Sequence, residues 1–255
     1  MSDRFFANEP ITGLRAALAG DEARHLVGVM RAETGDEVVL FDGSGAEFAC
    51  RVLKVGKQQV ELEIIERREV SRELSVAVTL AVALPKGERQ KWLVEKATEL
   101  GVTRIVPLTT QRGVAQPTDA ALARLRRTVI EASKQCGRNR LLEIGSPADA
   151  LQFFASAPTA ALRLLAEPGA APLGEVAART QEIVAAVGPE GGLTPHERSA
   201  ALAAGWQPVS LGPAILRVET AAIAIAAWAA TADRLNAKEQ GGKDAKQDAD
   251  KGSSI

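Results

Sequence analysis

The chain has 255 residues, a mass of 26.8 kDa and a formal net charge of −1. Its two cysteines, Cys50 and Cys136, and its two histidines show no metal-ligand spacing, which argues against a disulfide framework or a metal site and favours a reducing cytoplasm. No secretory leader and no apolar run long enough to cross a bilayer are visible, so the sequence predicts a soluble protein without a membrane anchor.

Residues 1–72 favour short strands and turns. The run EVVLFDGSGAEFACRVLKV places two β-rich segments around Asp42-Gly43-Ser44-Gly45, which is typical of a hairpin with a glycine-containing loop. In the run QQVELEIIE, Val60, Leu62 and Ile64 alternate with polar residues, which predicts a further strand. We therefore expect a small β-barrel or β-sheet domain here, followed by a charged linker, ERREVSREL.

From residue 73 to about 235 the pattern changes to strands that alternate with helices. Such alternation predicts an α/β domain with a mostly parallel sheet and with ligands at the carboxyl ends of its strands. The predicted elements, in chain order, are strand LSVAVTLAVAL, helix KGERQKWLVEKATEL, strand TRIVPL, helix TDAALARLRRTVIEASKQC, strand TAALRLLAE, short helix PLGEVAART, strand EIVAAVG, a helix from Thr194, strand QPVSLG and helix VETAAIAIAAWAATADRL.

Local sequence predicts the start of one helix and the nature of the C-terminal stretch. Thr194, Pro195 and Glu197 supply an N-cap, a proline at the first helical position and a glutamate three residues after the cap, which together predict a helix start. The final stretch, KEQGGKDAKQDADKGSSI, has almost no apolar residues, so residues 236–255 are predicted to form a disordered tail.

Two glycine-containing corners follow predicted strands. GPEGG begins at Gly188 and LGPAILR begins at Leu211, and each holds one charged residue among small ones. They form either two tight turns or opposite walls of one pocket, and we favour the pocket. Because GxGxxG, GxxxxGK[ST] and GxSxG are all missing, these residues favour an adenosine-like ligand over a pyrophosphate or an acyl group. The residues alone lead to an α/β enzyme or binding protein.

Charge is unevenly distributed along the chain. Residues 1–72 carry 10 Lys/Arg and 13 Asp/Glu, giving −3, whereas residues 86–140 carry 12 and 5, giving +7. The basic stretch either offers a docking band to a polyanion or forms solvated helix faces.

Several motifs together resemble one known family. VGPEGGLTPHE and LGPAILRVETAAIAIAAW, together with RFF, HLVGVMRAETGDEVVLFDG, LPKGERQKWLVEKATELGVTRIVPL and ASKQCGRNR, are similar to the RsmE family of bacterial 16S ribosomal RNA uridine N3-methyltransferases in the SPOUT superfamily. The resemblance spans residues 4–230. The chain departs from the family pattern at Leu141-Leu142, where the family usually has a proline, and in carrying only His25 where relatives often have several histidines.

The resemblance implies a C-terminal SPOUT α/β domain with a deep trefoil knot and an N-terminal PUA-like β-barrel domain that binds RNA. It also implies S-adenosyl-L-methionine as the cofactor, bound among the knot loops, and a homodimer with an active site near the interface. The cofactor-binding residues that it implies are Leu84, Lys86, Leu108, Thr109, Gly188, Pro189, Glu190, Gly191, Gly192, Leu211, Gly212, Ile215, Leu216 and Arg217.

Methyl transfer to N3 of uridine requires loss of the imide proton, so a cation near the carbonyl oxygens and a nearby base are expected. Arg217 is the candidate cation, and Glu190 or Glu219 is the candidate base. Two alternatives stay open. Arg217 forms a salt bridge with one of these carboxylates, or Glu219 only complements the dipole of its helix.

The implied substrate is 16S ribosomal RNA, on the 30S subunit. On the helix after Thr118, Arg124, Arg127, Lys134 and Arg138 are spaced to share one face and contact phosphates, although a solvated face is the alternative. His25 either stacks on a base or is packed. The predicted RNA-binding residues are Arg4, Arg24, His25, Arg31, Arg124, Arg127, Lys134, Arg138 and Asn139.

Alternatives stay open for the terminal helix and for the function. The alanine-rich terminal helix either packs across a dimer interface or is a core helix of its own chain. Two rival functions remain, namely a SPOUT enzyme that methylates a ribose 2′-hydroxyl and a non-catalytic RNA-binding module.

Overall fold

The computed structural model describes residues 4–113, 117–177 and 180–233. The chain divides into two compact units, which we call the β unit (Met1–Glu73 with Val129–Leu141) and the α/β unit (Leu74–Thr128 with Leu142–Ile255). The sequence predicted two contiguous domains that meet near residue 72, and no local signal assigned Val129–Leu141 to the first of them. The predicted tail, 236–255, lies outside the described residues.

The β unit is built on a five-stranded sheet with the strand order β1-β3-β4-β5-β2. Its pairings are antiparallel except for β1 with β3. A short helix, α1, leads directly into a π-helical turn at His25–Val29. The elements are β1 (Arg4–Phe6), β2 (Arg15–Ala19), α1 (Gly20–Arg24), β3 (Glu37–Phe41), β4 (Ala46–Val55) and β5 (Gln59–Glu69).

The predicted hairpin between β3 and β4 is confirmed. Gly43 and Gly45 adopt φ values of 85° and 108°, which side chains other than glycine rarely tolerate. Asp42 closes the loop by accepting hydrogen bonds from the backbone N–H groups of Ser44 at 3.0 Å and Ile11 at 2.9 Å. Burial would raise the pKa of Asp42, but these hydrogen bonds outweigh burial and hold the pKa below its ordinary value.

Strand β5 confirms one prediction and corrects another. Val60 and Leu62 are fully buried, as the alternation predicted, and Ile64 packs partly against the same core. The predicted linker ERREVSREL was wrong over its first part, because Glu66–Glu69 continues β5 and pairs with β4 as far as Ala46. Strand β4 is long enough to pair with this segment through backbone hydrogen bonds. The segment is charged and has no apolar alternation, so its sequence does not indicate a strand.

The α/β unit contains a sheet with the strand order β12-β10-β11-β6-β7-β8, and a short strand, β9, pairs with β7. All of these pairings are parallel, as predicted. The strands are β6 (Ala77–Val82), β7 (Arg104–Thr109), β8 (Glu143–Ile144), β9 (Ala148–Asp149), β10 (Leu162–Ala166), β11 (Glu182–Val187) and β12 (Gln207–Val209). The helices are α2 (Glu88–Glu99), α4 (Ala150–Ser156), α5 (Pro195–Ala203) and α6 (218–233), together with the first part of α3 (Asp119–Cys136), whose residues from Val129 onwards belong to the β unit.

Local sequence explains why these elements form. Strand β11 is buried along nearly its whole length, as expected for a strand covered on both faces. Helix α5 begins with the predicted capping box, in which Thr194 and Glu197 bond reciprocally to each other's backbone. Helix α2 ends before Gly101, where φ is 83° and an added Cβ would lie 2.8 Å from Leu74 Cγ.

Two features differ from the sequence prediction. Over its described part, the predicted helix PLGEVAART forms a single 3-10 turn at Leu173–Glu175, and its residues 178 and 179 lie outside the described residues. Helix α4, with its Asp149 N-cap, was not predicted, because its seven residues are too few to show a clear period.

Within the described ranges, no helix is both long and apolar enough to cross a membrane. The same residues contain no group of three or more His, Cys, Asp or Glu side chains arranged to hold a metal ion. Cys50 and Cys136 are free thiols, and burial raises the pKa of Cys50 to about 12.

Candidate functional site

A cavity of about 270 Å³ lies at the carboxyl ends of three neighbouring strands, β10, β11 and β12. The strands end together, since Ala166 pairs with Val209 and Leu165 pairs with Ala186. The segments that follow them therefore meet and form the walls. The two glycine-containing corners lie at this one cavity, which confirms the pocket arrangement over two unrelated tight turns.

The predicted cofactor residues fall into two sets. Those that line the cavity are Gly188, Pro189, Glu190, Gly192, Leu211, Ile215 and Leu216. Those that do not line it are Leu84, Lys86, Leu108, Thr109, Gly191, Gly212 and Arg217. Leu84 and Leu108 are buried, whereas Lys86 is exposed. The segment that leads to Leu84 borders the GPEGG corner, because Ala83 N–H donates to Val187 O at 3.0 Å.

The second corner combines unusual backbone with exposed apolar surface. Gly212 adopts a φ of 133°, and the hydroxyl of Ser210 spans it, lying 3.4 Å from Gly212 N and 3.2 Å from Gly212 O. The side chain of Ile215 is 87% exposed although it lines the cavity. An exposed aliphatic side chain at the cavity provides a surface against which a flat apolar ring can pack.

A third corner, which the sequence interpretation missed, completes the cavity. It follows β10 and includes Leu165, Ala166, Glu167 and Pro168. The strand TAALRLLAE was predicted, and the Pro-Gly after it repeats the pattern of the other two corners, so a signal was present. Arg198 also lines the cavity, but its place on helix α5 gave no such signal.

The charged groups near the cavity pair differently from the prediction. Arg89, near the start of α2, donates from Nη1 to Glu190 Oε1 at 3.2 Å, and the same nitrogen lies 3.6 Å from Glu219 Oε2. The side chain of Glu219 is only 7% exposed, and its Oε2 has no hydrogen-bond partner among the described residues. Arg89 therefore forms the ion pairs with Glu190 and Glu219 that the sequence analysis gave as an alternative for Arg217.

Arg217 is exposed, and no residue in the described ranges forms an ion pair with it. The salt bridge that was the alternative for Arg217 is thus absent from this part of the chain. A guanidinium that has no internal partner is available to an incoming anion or carbonyl oxygen.

Glu197 holds two of the surrounding loops together. Its Oε2 accepts from Thr194 N–H at 2.7 Å and from the Thr194 hydroxyl at 2.9 Å, while its Oε1 accepts from Gln111 N–H at 2.8 Å. Burial would raise the pKa of Glu197, but these hydrogen bonds and the nearby Arg112 outweigh burial and lower it. Arg112 in turn donates to Gly191 O at 3.0 Å, which ties the loop after β7 to the GPEGG corner.

Several predicted RNA-binding residues are buried in ion pairs of the β unit. Arg4 donates from Nη1 to Glu47 Oε2 at 2.8 Å and from Nη2 to Asn139 Oδ1 at 2.6 Å. Arg138 pairs with Glu73, and Lys134 pairs with Glu22 at 2.9 Å. Burial would raise the pKa of Glu47, but hydrogen bonds from Arg4 and Arg72 lower it. These pairs support a structural role for Arg4, Lys134, Arg138 and Asn139, and contact with RNA stays a prediction for them.

The other predicted RNA-binding residues are placed differently. Arg124 and Arg127 of α3 are exposed, and so is Arg31, which adopts a φ of 57°. Arg24 is exposed but pairs with Asp21, and the ring of His25 packs edge-on against Phe5 with 5.6 Å between centroids. The expected single face of Arg124, Arg127, Lys134 and Arg138 is therefore divided, with its first two members free in solvent and the other two paired.

The chain matches two protein-family models and is similar to several named proteins. Residues 72–230 match the model of an RNA methyltransferase domain, and residues 18–65 match that of an RNA methyltransferase PUA domain. Ribosomal RNA small subunit methyltransferase E of Synechocystis is 35% identical, over 84% of this chain and 72% of its own length. The Bacillus subtilis protein of the same name is 32% identical, over 80% of this chain and 85% of its own length.

Two solved structures are similar throughout. Ribosomal RNA small subunit methyltransferase E of Neisseria gonorrhoeae, bound to S-adenosyl methionine, has a TM-score of 0.84 and 32% identity over 91% of this chain and 98% of its own. A Legionella pneumophila methyltransferase in complex with the same cofactor gives the same values. With its family-model match and its relatives, this chain belongs to the ribosomal RNA small subunit methyltransferase E family of RNA methyltransferases.

Proposed function

We propose that the chain transfers a methyl group from S-adenosyl-L-methionine to N3 of a uridine in 16S ribosomal RNA, with the 30S subunit as substrate and the cytoplasm as its location. The observation that carries this proposal is the cavity formed by three strand-end corners in an RNA methyltransferase fold whose solved relatives hold this cofactor. Uridine as the base and the 30S subunit as the substrate follow from the family resemblance.

The residues at the cavity fit the cofactor. An adenosine derivative needs apolar walls for its ring and polar groups for its edges, and the cavity offers both. Leu211, Ile215 and Leu216 supply aliphatic surface and backbone groups, and Gly188 permits close approach of the main chain. Glu167, whose side chain is 27% exposed, adds a carboxylate at the cavity wall.

When bound, S-adenosylmethionine supplies an electrophilic methyl group, so the protein must supply position and charge. Arg217 is exposed and unpaired among the described residues, which supports its role as the cation that stabilises negative charge on a uracil carbonyl oxygen. Glu190 lines the cavity, and Glu219 does not. Of the two candidate bases, Glu190 is therefore better placed to accept the N3 proton, while its hydrogen bond from Arg89 orients the carboxylate.

Contact with RNA is assigned to those predicted RNA-binding arginines that are exposed and form no ion pair with the described residues, namely Arg31, Arg124 and Arg127. Exposed arginines without internal partners neutralise phosphates and release counterions on binding. The PUA domain match is consistent with an RNA-binding role for residues 18–65.

The active protein is a homodimer that uses one face of α6. Ala222, Ala226 and Ala229 are buried within their own chain, which accounts for one face of this helix. Ala224, Ala227 and Trp228 are only partly buried, and their small or flat side chains permit close approach of a second copy. Sedimentation equilibrium checks this assignment, since a single species of twice the chain mass is expected.

The proposed reaction is tested with S-adenosylmethionine labelled at its methyl group. Purified protein is incubated with 30S subunits that lack this modification and, separately, with free 16S RNA from them. Label in the RNA of the 30S subunit, at a rate well above that for free RNA, is expected. Equal labelling of both would overturn the 30S assignment, and labelling of neither by a protein that binds the cofactor would overturn the choice of substrate.

A further inference from the structure

One carboxylate at the cavity has an oxygen that nothing in the described part of the chain satisfies. Glu167 follows β10 and lines the cavity. Its Oε1 accepts a hydrogen bond from Arg198 Nε at 2.7 Å, whereas its Oε2 is shielded from solvent and accepts none from the described residues. A buried carboxylate oxygen without a hydrogen-bond donor raises the free energy of the folded protein. A ligand that donates a hydrogen bond to this oxygen would remove that penalty.

The strand order places this carboxylate along the cofactor. Strand β10 lies between β12 and β11 in the sheet. The corner after β12, with Leu211 and Leu216, is the proposed adenine side, and the corner after β11, with Glu190, is the proposed methyl-transfer side. The ribose is the part of S-adenosylmethionine that joins adenine to the reactive sulfur. A ligand that reaches from one corner to the other therefore passes the end of β10 with its ribose.

The arrangement is chemically suited to a diol. Arg198 holds Oε1 of the carboxylate, so Oε2 accepts from a ligand hydroxyl when the carboxylate turns that oxygen from its shielded position towards the cavity. A carboxylate that accepts hydrogen bonds from ribose hydroxyls is a common solution in nucleotide-binding proteins, because both hydroxyls can donate to it.

We propose that Glu167 is a cofactor-binding residue that accepts hydrogen bonds from the ribose hydroxyls of S-adenosylmethionine, and that Arg198 is the residue that positions it. This inference rests on the proposed function, since it requires the cofactor to occupy this cavity.

The test measures binding rather than turnover. The dissociation constants of S-adenosylmethionine, S-adenosylhomocysteine and 5′-methylthioadenosine are measured by calorimetry for the wild type, Glu167→Gln and Glu167→Asp. The last ligand keeps the ribose but has no amino-acid part. Loss of a hydrogen bond to a charged group typically weakens binding about tenfold or more. We expect Glu167→Gln to weaken all three ligands by the same factor, and Glu167→Asp to weaken them because its carboxylate is one methylene shorter.

The controls separate the possible failures. Glu175→Gln changes an exposed carboxylate that does not line the cavity and should leave all three dissociation constants unchanged. A wild type that binds none of the three ligands would refute the cofactor and with it the proposed function. Unchanged binding by folded Glu167→Gln would overturn the inference alone. A loss confined to the two ligands that carry the ammonium group would overturn the ribose assignment and place the methionine amine there.

A 2′-deoxy or 3′-deoxy analogue of 5′-methylthioadenosine completes a double-mutant cycle. If Glu167 acts through the ribose, the analogue that lacks the contacted hydroxyl binds the wild type more weakly and is insensitive to Glu167→Gln. A merely structural effect of the substitution would weaken the analogues and the parent compound alike, and that result would contradict the proposal.

Discussion

Arg89 Nη1 donates to Glu190 Oε1 at 3.2 Å, which fastens the first turn of α2 to the GPEGG corner. The same nitrogen lies 3.6 Å from Oε2 of Glu219, a buried carboxylate at the start of α6. The link joins three elements that are far apart in sequence, and two of them carry candidate bases for the reaction.

Removal of Arg89 should therefore damage both stability and turnover. Arg89→Ala leaves Glu190 without its orienting donor and Glu219 without a counter-charge. We expect a loss of about 1–2 kcal/mol in the free energy of unfolding, well below the value for a fully buried pair because Arg89 is 40% exposed. We also expect about a tenfold fall in kcat at saturating cofactor. Denaturant titration and labelled methyl transfer check the two effects.

Lys91→Ala is the matched control, because Lys91 is an exposed cation on the same helix and no ion pair joins it to the described residues. Two results together would contradict this role of Arg89. They are a near-wild-type kcat in Arg89→Ala and an equal loss in the free energy of unfolding in Arg89→Ala and Lys91→Ala, which would show that only the charge of the helix matters.

The second prediction concerns pH and Glu197. Its folded pKa is lowered from the ordinary value of 4.5, so its contribution to stability is present above 4.5 and is lost as the pH falls through the folded value. Glu197→Gln removes the charge and one acceptor of its three hydrogen bonds. We expect the variant to be about 1–2 kcal/mol less stable at pH 7, and this difference to shrink as the pH falls below 4.5 and through the folded pKa. Unfolding curves across this range measure the difference, and a constant difference at every pH would contradict the assignment.

The third prediction concerns the backbone of the second corner. Because Gly212 has a φ of 133°, Gly212→Ala forces the corner to rearrange although open space surrounds the position. We expect at least a tenfold rise in the dissociation constant of S-adenosylhomocysteine, measured by calorimetry. Gly174→Ala is the control, since that glycine also has open space but no positive φ. Equal affinity in both variants would show that the corner does not contact the cofactor.

The fourth prediction separates RNA contact from support of the β unit. Arg124→Ala and Arg127→Ala should each weaken binding to 16S RNA and reduce the slope of log K against log salt by about 0.7–0.9 per phosphate contact, without loss of stability. Arg4→Ala removes a partner of Glu47 and should instead lower stability, since its side chain is only 10% exposed. Electrophoretic mobility shifts at several salt concentrations, with denaturant curves, distinguish the two classes. If the slope of log K against log salt were unchanged in both Arg124→Ala and Arg127→Ala, α3 would not contact RNA.

Sequence patterns anticipated the features that local chemistry determines. The capping box at Thr194, the hairpin glycines and the buried strand β11 each depend on neighbouring residues, so their signals are complete within a few positions. The two corners could be placed at one cavity because parallel strands end at a common edge.

Other features depend on partners far along the chain. Nothing near Arg89 shows that it pairs with Glu190, which lies 101 residues later. Likewise, nothing near Arg4 shows that it donates a hydrogen bond to Asn139, 135 residues away. The assignment of Val129–Leu141 to the β unit has no local signal either. The trefoil knot rests on the family resemblance alone and stays a prediction, because no period or spacing records a threaded chain.

The most direct test of the central claim is identification of the methylated nucleoside. RNA from 30S subunits treated with the protein and S-adenosylmethionine is digested to nucleosides and separated by chromatography with mass detection, against standards of 3-methyluridine and 2′-O-methyluridine. We expect new 3-methyluridine in this RNA, and we expect Arg217→Ala to abolish or strongly reduce it. Appearance of 2′-O-methyluridine instead, or of a methylated base other than uridine, would contradict it.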